Sequence, residues 1–249
     1  MNPVFLSIAF LIAPTAPKLS TTKQLSFQEQ VNYIFAHIDK SKIPTGILRD
    51  YAMEFVDLEN FNGTTALTDS NYAHANSFWT VYNTLTSGRI HQSAIGLING
   101  DDLDKRWYNA LQPEQVTLCG LYFSYARFKD KAYPNYLSIE NNQLHDKYVN
   151  GVWQNPYQTE QAFIISPSHN EYKALKFSIL LPKNLWLTNS DNKCNLSIDV
   201  NDGQGFRSLK NDVPLAVSYE EPGLKEWAYR LEISEGRYLY AHSQVAIGY

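Results

Sequence analysis

Histidines are the side chains best suited to acid–base or metal chemistry, and six of them are spread along this sequence of 249 residues. They are His37, His74, His91, His145, His169 and His242. No two stand two or four positions apart, so the sequence contains no local metal-binding pair. Ser166 lies near His169, but a catalytic triad assembles in space, and Pro167 between them marks a loop. We interpret the histidines as hydrogen-bonding groups, with a composite site from distant histidines as the alternative.

Carboxylates cluster in two turns, where calcium binding is the chemistry to consider. The segment from Asp199 to Gly203, with Asn201 and Asp202 inside it, partly resembles a calcium loop. Its ligand register differs, however, and no Glu follows at the twelfth position. The second cluster begins at Asp101 and fits a helix start, since acidic residues favour the first turn. We therefore expect a hairpin turn and a helix cap, and no metal or cofactor.

Motifs of the common catalytic sites are missing from the sequence. It has no G-x-S-x-G, no G-x-x-x-x-G-K-[ST], no G-x-G-x-x-G after a strand and no H-E-x-x-H. A pair of acids acting across a cleft cannot be recognised in one dimension. We predict no catalytic residues in this chain, and the alternative is a hydrolase whose site is composite or lies further along the polypeptide.

Aromatic residues supply the best candidates for ligand contact. Trp153, Tyr157 and Trp186 could stack on the apolar faces of sugar rings, although aromatic residues in strands more often fill cores and cross-strand pairs. We name these three as candidate ligand-facing residues.

The chain contains two cysteines, Cys119 and Cys194. If the protein is exported they could form a disulfide that joins two β segments. The alternative is two separate thiols, buried or reduced.

Composition excludes some classes of partner. The formal net charge is -4 and no cluster of Lys and Arg exceeds two adjacent residues, so nucleic acid is not an expected partner. A hydrophobic fraction of 44% is enough for a packed core, and an aromatic fraction of 14% is typical of sheet-rich extracellular proteins.

The two ends of the sequence indicate export and a longer protein. Residues 2–13 form an apolar run that is too short for a transmembrane span but suits a secretory signal. An apolar terminus without a signal, or a misassigned start, is the alternative. At the other end, an alternating run stops abruptly at Tyr249. We expect a secreted or cell-surface protein whose polypeptide continues into a downstream domain.

The periodicity changes from helical to extended near Pro113. A capping box at Ser26 and Glu29 opens the first predicted helix, and further helices are expected at about 47–55, 70–87 and 101–111. After Pro113, short alternating runs separated by turn residues predict an antiparallel sandwich. The expected fold is α+β, with a short-helix subdomain packed on a β-sandwich. The predicted segments are a leader at 1–22, helices at 23–113, a β-rich part at 114–171 and a last part at 172–249.

The last segment resembles a known module. Its Asp202-Gly203 hairpin, the strand that ends in Tyr219, the turn glycine Gly223 and the alternating strand from Trp227 to Ile233 are similar to the polycystic-kidney-disease (PKD) type of Ig-like domain. The resemblance implies an Ig-like β-sandwich at about 173–235.

The whole chain, with the residues from Phe35 to Ser41 and from Pro44 to Leu48 as its motifs, is similar over about 200 residues to the N-terminal region of large secreted Bacteroidetes-type proteins of unknown function. Such proteins often continue into a hydrolase-like segment and a secretion-sorting domain. The resemblance implies architecture and compartment only. We expect a non-catalytic scaffold or interaction region that contacts its downstream domain and a glycan or cell-surface protein. The alternatives are a carbohydrate-binding module and an accessory region of a secreted hydrolase.

Overall fold

The computed structural model describes residues 25–90, 96–190 and 194–248. The fold is mixed α+β, with few helices and multiple antiparallel sheets, and this coarse prediction is confirmed. The apolar run at 2–13, His91 and Tyr249 lie outside the described residues. No helix within the described ranges is long and apolar enough to cross a membrane.

The helices are short, and side chains cap the first turns of the first three. They are α1 (Phe27–Ile34), α2 (Ala75–Ser87), α3 (Gly100–Asn109) and α4 (Ala132–Asn135). The predicted capping box of α1 is confirmed, because Ser26 N donates to Glu29 at 2.8 Å and Glu29 N donates to the Ser26 hydroxyl. Asn99 caps α3, two or three residues before the expected cap at Asp101 or Asp102.

The helix predicted at about 47–55 is wrong. Only a short 3₁₀ turn, Arg49–Tyr51, forms there. Leu48 N donates to Gly88 O at 2.9 Å, and Ala126 N donates to Ile47 O at 2.8 Å. These two bonds to distant parts of the chain hold an extended backbone, so tertiary contacts override the helical spacing of the apolar residues.

The described residues form fourteen strands, which begin after α3, with α4 between the first and the second. They are β1 (Gln115–Phe128), β2 (Leu137–Glu140), β3 (Gln143–Asp146), β4 (Tyr148–Val149), β5 (Val152–Trp153), β6 (Tyr157–Pro167), β7 (Glu171–Tyr172), β8 (Lys176–Leu180), β9 (Trp186–Thr188), β10 (Asn195–Asp199), β11 (Arg207–Ser208), β12 (Leu215–Ser218), β13 (Gly223–Ser234) and β14 (Arg237–Ile247).

Two five-stranded sheets carry the architecture. The first has the order β12-β8-β1-β6, with β9 also paired to β1, and the second has the order β11-β10-β13-β14-β7. The pairing of β1 with β6 is antiparallel, whereas β8 and β9 pair with β1 in parallel. Strands from both sides of residue 172 share the first sheet. The hairpins β2–β3 and β4–β5 lie outside the two sheets.

Side chains alternate along β1 between two apolar cores. Leu118 faces the second sheet, where it shares a core with Phe163, Trp227 and other residues. Leu121 faces the opposite way and packs in a core with α2 and α3 residues such as Phe78. The first sheet is therefore covered on one face by a sheet and on the other by helices.

The segment 58–73 closes the edge between the two sheets. Tyr240 N on β14 donates to Gly63 O at 2.8 Å, and Ala73 N donates to His242 O at 2.7 Å. Gly63 has a positive φ of 79°, and a Cβ at this position would lie 2.6 Å from the Cβ of Leu239. Only glycine allows the chain to pass this close to β14.

Candidate functional site

A cleft of about 780 Å³ lies where β1 and β6 meet the β13–β14 hairpin and the segment 58–73. Its lining is almost entirely polar: Glu59, Asn62, Thr64, Tyr122, Ser124, Arg127, Thr159, Glu160, Gln161, Ile233, Ser234 and Arg237. Four parts of the chain that are distant in sequence supply these residues.

Strand alternation explains the polar surface on β1 and β6. Tyr122 and Ser124 stand two positions apart on β1, and Ser124 is paired with Gln161 on β6. Nearer the middle of the strands the same face carries the apolar core, for example Phe163. Tyr122, Ser124 and Gln161 therefore continue the inter-sheet face as a polar surface, whereas Arg127 and Glu160 alternate to the other face of the sheet, beside Tyr125.

Asn189 fixes the position of Ser124. Its side-chain amide donates to Ser124 O at 2.8 Å, and its carbonyl oxygen accepts from Ser124 N at 2.9 Å. These two bonds extend the pairing of β9 with β1 by one further residue. The β1 backbone beneath the cleft is thereby held by neighbours on both sides.

Glu160 lies at the centre of the hydrogen-bond network in the cleft wall. Its carboxylate accepts from the Arg127 guanidinium, from Gln158 Nε2 at 2.9 Å and from the Tyr125 hydroxyl at 3.2 Å. Burial, followed by the charge of Glu160, raises the pKa of the Tyr125 phenol well above its ordinary value. Tyr125 thus remains a neutral donor, and the carboxylate is held in one orientation.

The part of the lining that comes from the segment 58–73 is held in place by Arg49 and Asn62. Arg49 pairs with Glu54 at 2.7 Å, with Asp57 at 3.1 Å and with Glu59, the cleft residue, at 3.3 Å. The side-chain oxygen of Asn62 accepts from Thr64 N at 2.7 Å and closes the adjacent turn. These bonds order the wall before any ligand binds.

Arg237 borders the cleft from the β13–β14 hairpin. The hairpin turns at Gly236, whose φ is 71°, and Ser234 pairs with Arg237 across it. The Arg237 side chain is exposed, and no carboxylate pairs with it among the described residues. Burial raises the pKa of the nearby Tyr122 hydroxyl, and the Arg237 charge opposes that rise.

The three predicted ligand-facing aromatics do not form one surface. Tyr157 is buried, with 2% of its surface exposed, and packs beside the half-buried Trp153 with ring centroids 6.3 Å apart. The Trp153 indole donates to Asp146 at 2.8 Å. Trp186 packs against a different core, where it covers Gly120. Core packing accounts for these rings better than a sugar-stacking face does.

The two cysteines do not form a disulfide in this structure. Cys119 is completely buried in the core between the first sheet and the helices. Cys194 is half-buried and packs against the core between the two sheets. The expectation of a disulfide is corrected, because the two thiols lie in cores on opposite sides of the first sheet.

Some of the other candidates come together and others do not. The rings of His37 and His145 stack with centroids 4.2 Å apart, although 108 positions separate them in sequence. No group of three or more His, Cys, Asp or Glu within the described ranges is arranged to hold a metal ion. Ser166 is buried and donates to Pro167 O, so it is not directed at His169.

The acidic residues near Asp202 form hydrogen bonds and an ion pair within their own turn. Asp202 pairs with Arg207 at 2.6 Å, and the Asp199 carboxylate accepts from Asn201 N at 2.8 Å. Both carboxylates are therefore used within the turn, in agreement with the interpretation made from the sequence.

Sequence reasoning missed the cleft, whose central residues include Arg127, Glu160, Gln161 and Arg237. The available signal was the appearance of Ser124 and Thr159 where β1 and β6 leave their apolar alternation. That signal marks a polar strand end but does not show which distant segments face it.

No family model, curated protein or solved structure matches this chain.

Proposed function

We propose that this chain is a non-catalytic binding region of a secreted or cell-surface protein, and that it binds carbohydrate in the polar cleft. The observation that carries the proposal is the preorganised network around Glu160, in a cleft large enough for a ligand of a few sugar rings.

Sugar hydroxyls both donate and accept hydrogen bonds, and the lining offers partners of both kinds. Glu59 and Glu160 present carboxylate acceptors, while Gln161 and Thr159 carry donors and acceptors. Because the walls are already bonded to the scaffold, binding would cost little side-chain ordering. Such a site favours hydroxyl-rich ligands over apolar ones.

The described lining favours binding over chemistry. Glycoside hydrolysis would use two carboxylates, and the two in this lining are already engaged, since Glu59 pairs with Arg49 at 3.3 Å and Glu160 with Arg127. Glu160 is surrounded by three donors, so its role in the wall is that of an acceptor. The function that fits this arrangement is recognition.

The architectural part of the proposal is a PKD-type segment at 172–249 that completes this site with its β13–β14 hairpin, next to a downstream domain of the same polypeptide. Its support is the interior of the segment. The Tyr219 hydroxyl donates to Val200 O at 2.6 Å and accepts from the Trp227 indole at 2.9 Å, which fixes the strand that ends in Tyr219.

A glycan array tests the proposal. The intact chain is screened beside Thr159→Trp, which would fill the cleft from an exposed position on β6, and beside Ser218→Trp, a matched exposed position on β12. We expect specific binding by the parent and by Ser218→Trp, and its loss in Thr159→Trp. An array without binding, or binding unchanged in Thr159→Trp, would overturn the proposal.

A further inference from the structure

The geometry points to an acidic saccharide as the ligand, with its carboxylate bound by Arg237. This inference rests on the proposed carbohydrate function and adds the chemical class of the ligand.

The described lining contains two arginines, Arg127 and Arg237, and they differ in whether carboxylates pair with them. Arg127 is neutralised by Glu160 and by Asp130, which lies at 3.1 Å. Arg237 has no carboxylate partner within the described ranges, yet it borders the same cleft. Its guanidinium can therefore pair with a ligand carboxylate without breaking an internal ion pair.

Hydroxyl groups complete a donor set beside Arg237. Ser234 pairs with Arg237 across the hairpin turn, and Tyr122 and Ser124 lie on the neighbouring part of β1. Tyr122 is close enough to Arg237 for the guanidinium charge to act on its hydroxyl. A carboxylate at this corner would meet one planar cation and neutral hydroxyl donors, a combination that favours bidentate binding.

The two glutamates of the described lining set the direction of the ligand. Glu59 and Glu160 would repel a carboxylate but accept hydrogen bonds from sugar hydroxyls. An acidic sugar is therefore expected to direct its carboxylate toward Arg237 and its hydroxyls toward the two glutamates. A neutral sugar makes only the second set of contacts.

Calorimetric titration with two matched probes tests this inference. The probes are an oligogalacturonate of about four rings and its methyl ester, which has the same sugar backbone without the charge. We expect the parent chain to bind the acid about tenfold or more tightly than the ester. Arg237→Gln should lower the affinity for the acid about tenfold and lower the affinity for the ester much less, and Arg237→Lys should retain part of the preference.

The outcomes separate the inference from the function on which it rests. Equal affinity for the two probes, or an equal loss for both in Arg237→Gln, would overturn the acidic class while carbohydrate binding stands. No binding of either probe, together with a blank glycan array, would overturn both. Because Arg237 is exposed, the variants are expected to fold, and the circular dichroism of each variant verifies this.

Discussion

The Arg127 guanidinium donates through Nε to the carboxylate of Glu160, diagonally across the β1–β6 pairing. The side chains of both residues are about one-fifth exposed, at 23% and 22%. The ion pair thus forms part of the cleft wall and also joins the two strands beneath the cleft. Stability and binding both depend on it.

Two substitutions of Glu160 distinguish the loss of its charge from the loss of its hydrogen-bond acceptor. Glu160→Ala leaves the buried Tyr125 hydroxyl and the Arg127 guanidinium without their shared acceptor, so we expect a loss of about 2 kcal/mol in the free energy of unfolding. Glu160→Gln keeps a carbonyl oxygen and should lose about 1 kcal/mol. Urea unfolding of both variants measures the difference, and equal losses would contradict the proposed role of the acceptor.

Gly63 is expected to be intolerant of any side chain. Gly63→Ala adds a Cβ that overlaps Leu239 and forces alanine to a positive φ, so the loss of stability should be about 3 kcal/mol. Gly203 is the matched control, because its φ is 83° but no atom lies within 4 Å of an added Cβ. Gly203→Ala should lose about 1 kcal/mol through strain alone. Similar losses in thermal or urea unfolding would refute the close packing of the segment 58–73 on β14.

The two thiols should differ in reactivity. Burial raises the pKa of the Cys119 thiol well above its usual range and also raises that of the half-buried Cys194. Because the thiolate is the reactive form, native protein should incorporate one alkyl group per chain, at Cys194, and denatured protein two. The rate of alkylation at Cys194 should still increase with pH above pH 9.0, the ordinary pKa of a thiol, because burial raises the pKa of Cys194. Mass spectrometry counts the labels. If the denatured protein takes up two labels only after a reductant is added, the two cysteines form a disulfide and the prediction of free thiols is wrong.

His242 and Asn71 should be energetically coupled. His242 is 1% exposed and its Nε2 lies 2.8 Å from the side-chain oxygen of Asn71, whose amide nitrogen donates to Asn60 O and Ala66 O. In a double-mutant cycle with His242→Ala and Asn71→Ala, we expect a coupling of about 1 kcal/mol or more. Additive losses would show that the segment 58–73 does not depend on this contact.

Local signals predicted local structure. The capping box at Ser26 and Glu29 is recognisable from spacing alone because both partners lie within one turn. The helix predicted from Ile47 onward does not form, because the backbone there bonds to Gly88 and Ala126. No local sequence pattern reveals these partners. Residues in contact along the chain can be predicted, whereas pairing over long separations cannot.

The residues of the candidate site are even harder to predict from the sequence, because they come from distant parts of the chain. Glu160, Arg127 and Arg237 become neighbours through the β1–β6 pairing and the placement of a distant hairpin. The aromatic residues that the sequence predicted to face a ligand pack against the interior instead. Tyr157, for example, is buried. Large side chains are conspicuous in a sequence, but a polar cleft is defined by what the fold leaves uncovered.

Hydrogen exchange with and without a bound glycan tests the central claim, that the cleft is the ligand site. With the saccharide that binds best, we expect protection of amides at 59–64, 122–127, 159–161 and 233–237, and no protection around Trp153 or Trp186. Protection confined to the β4–β5 hairpin, or to any surface outside the cleft, would contradict the account.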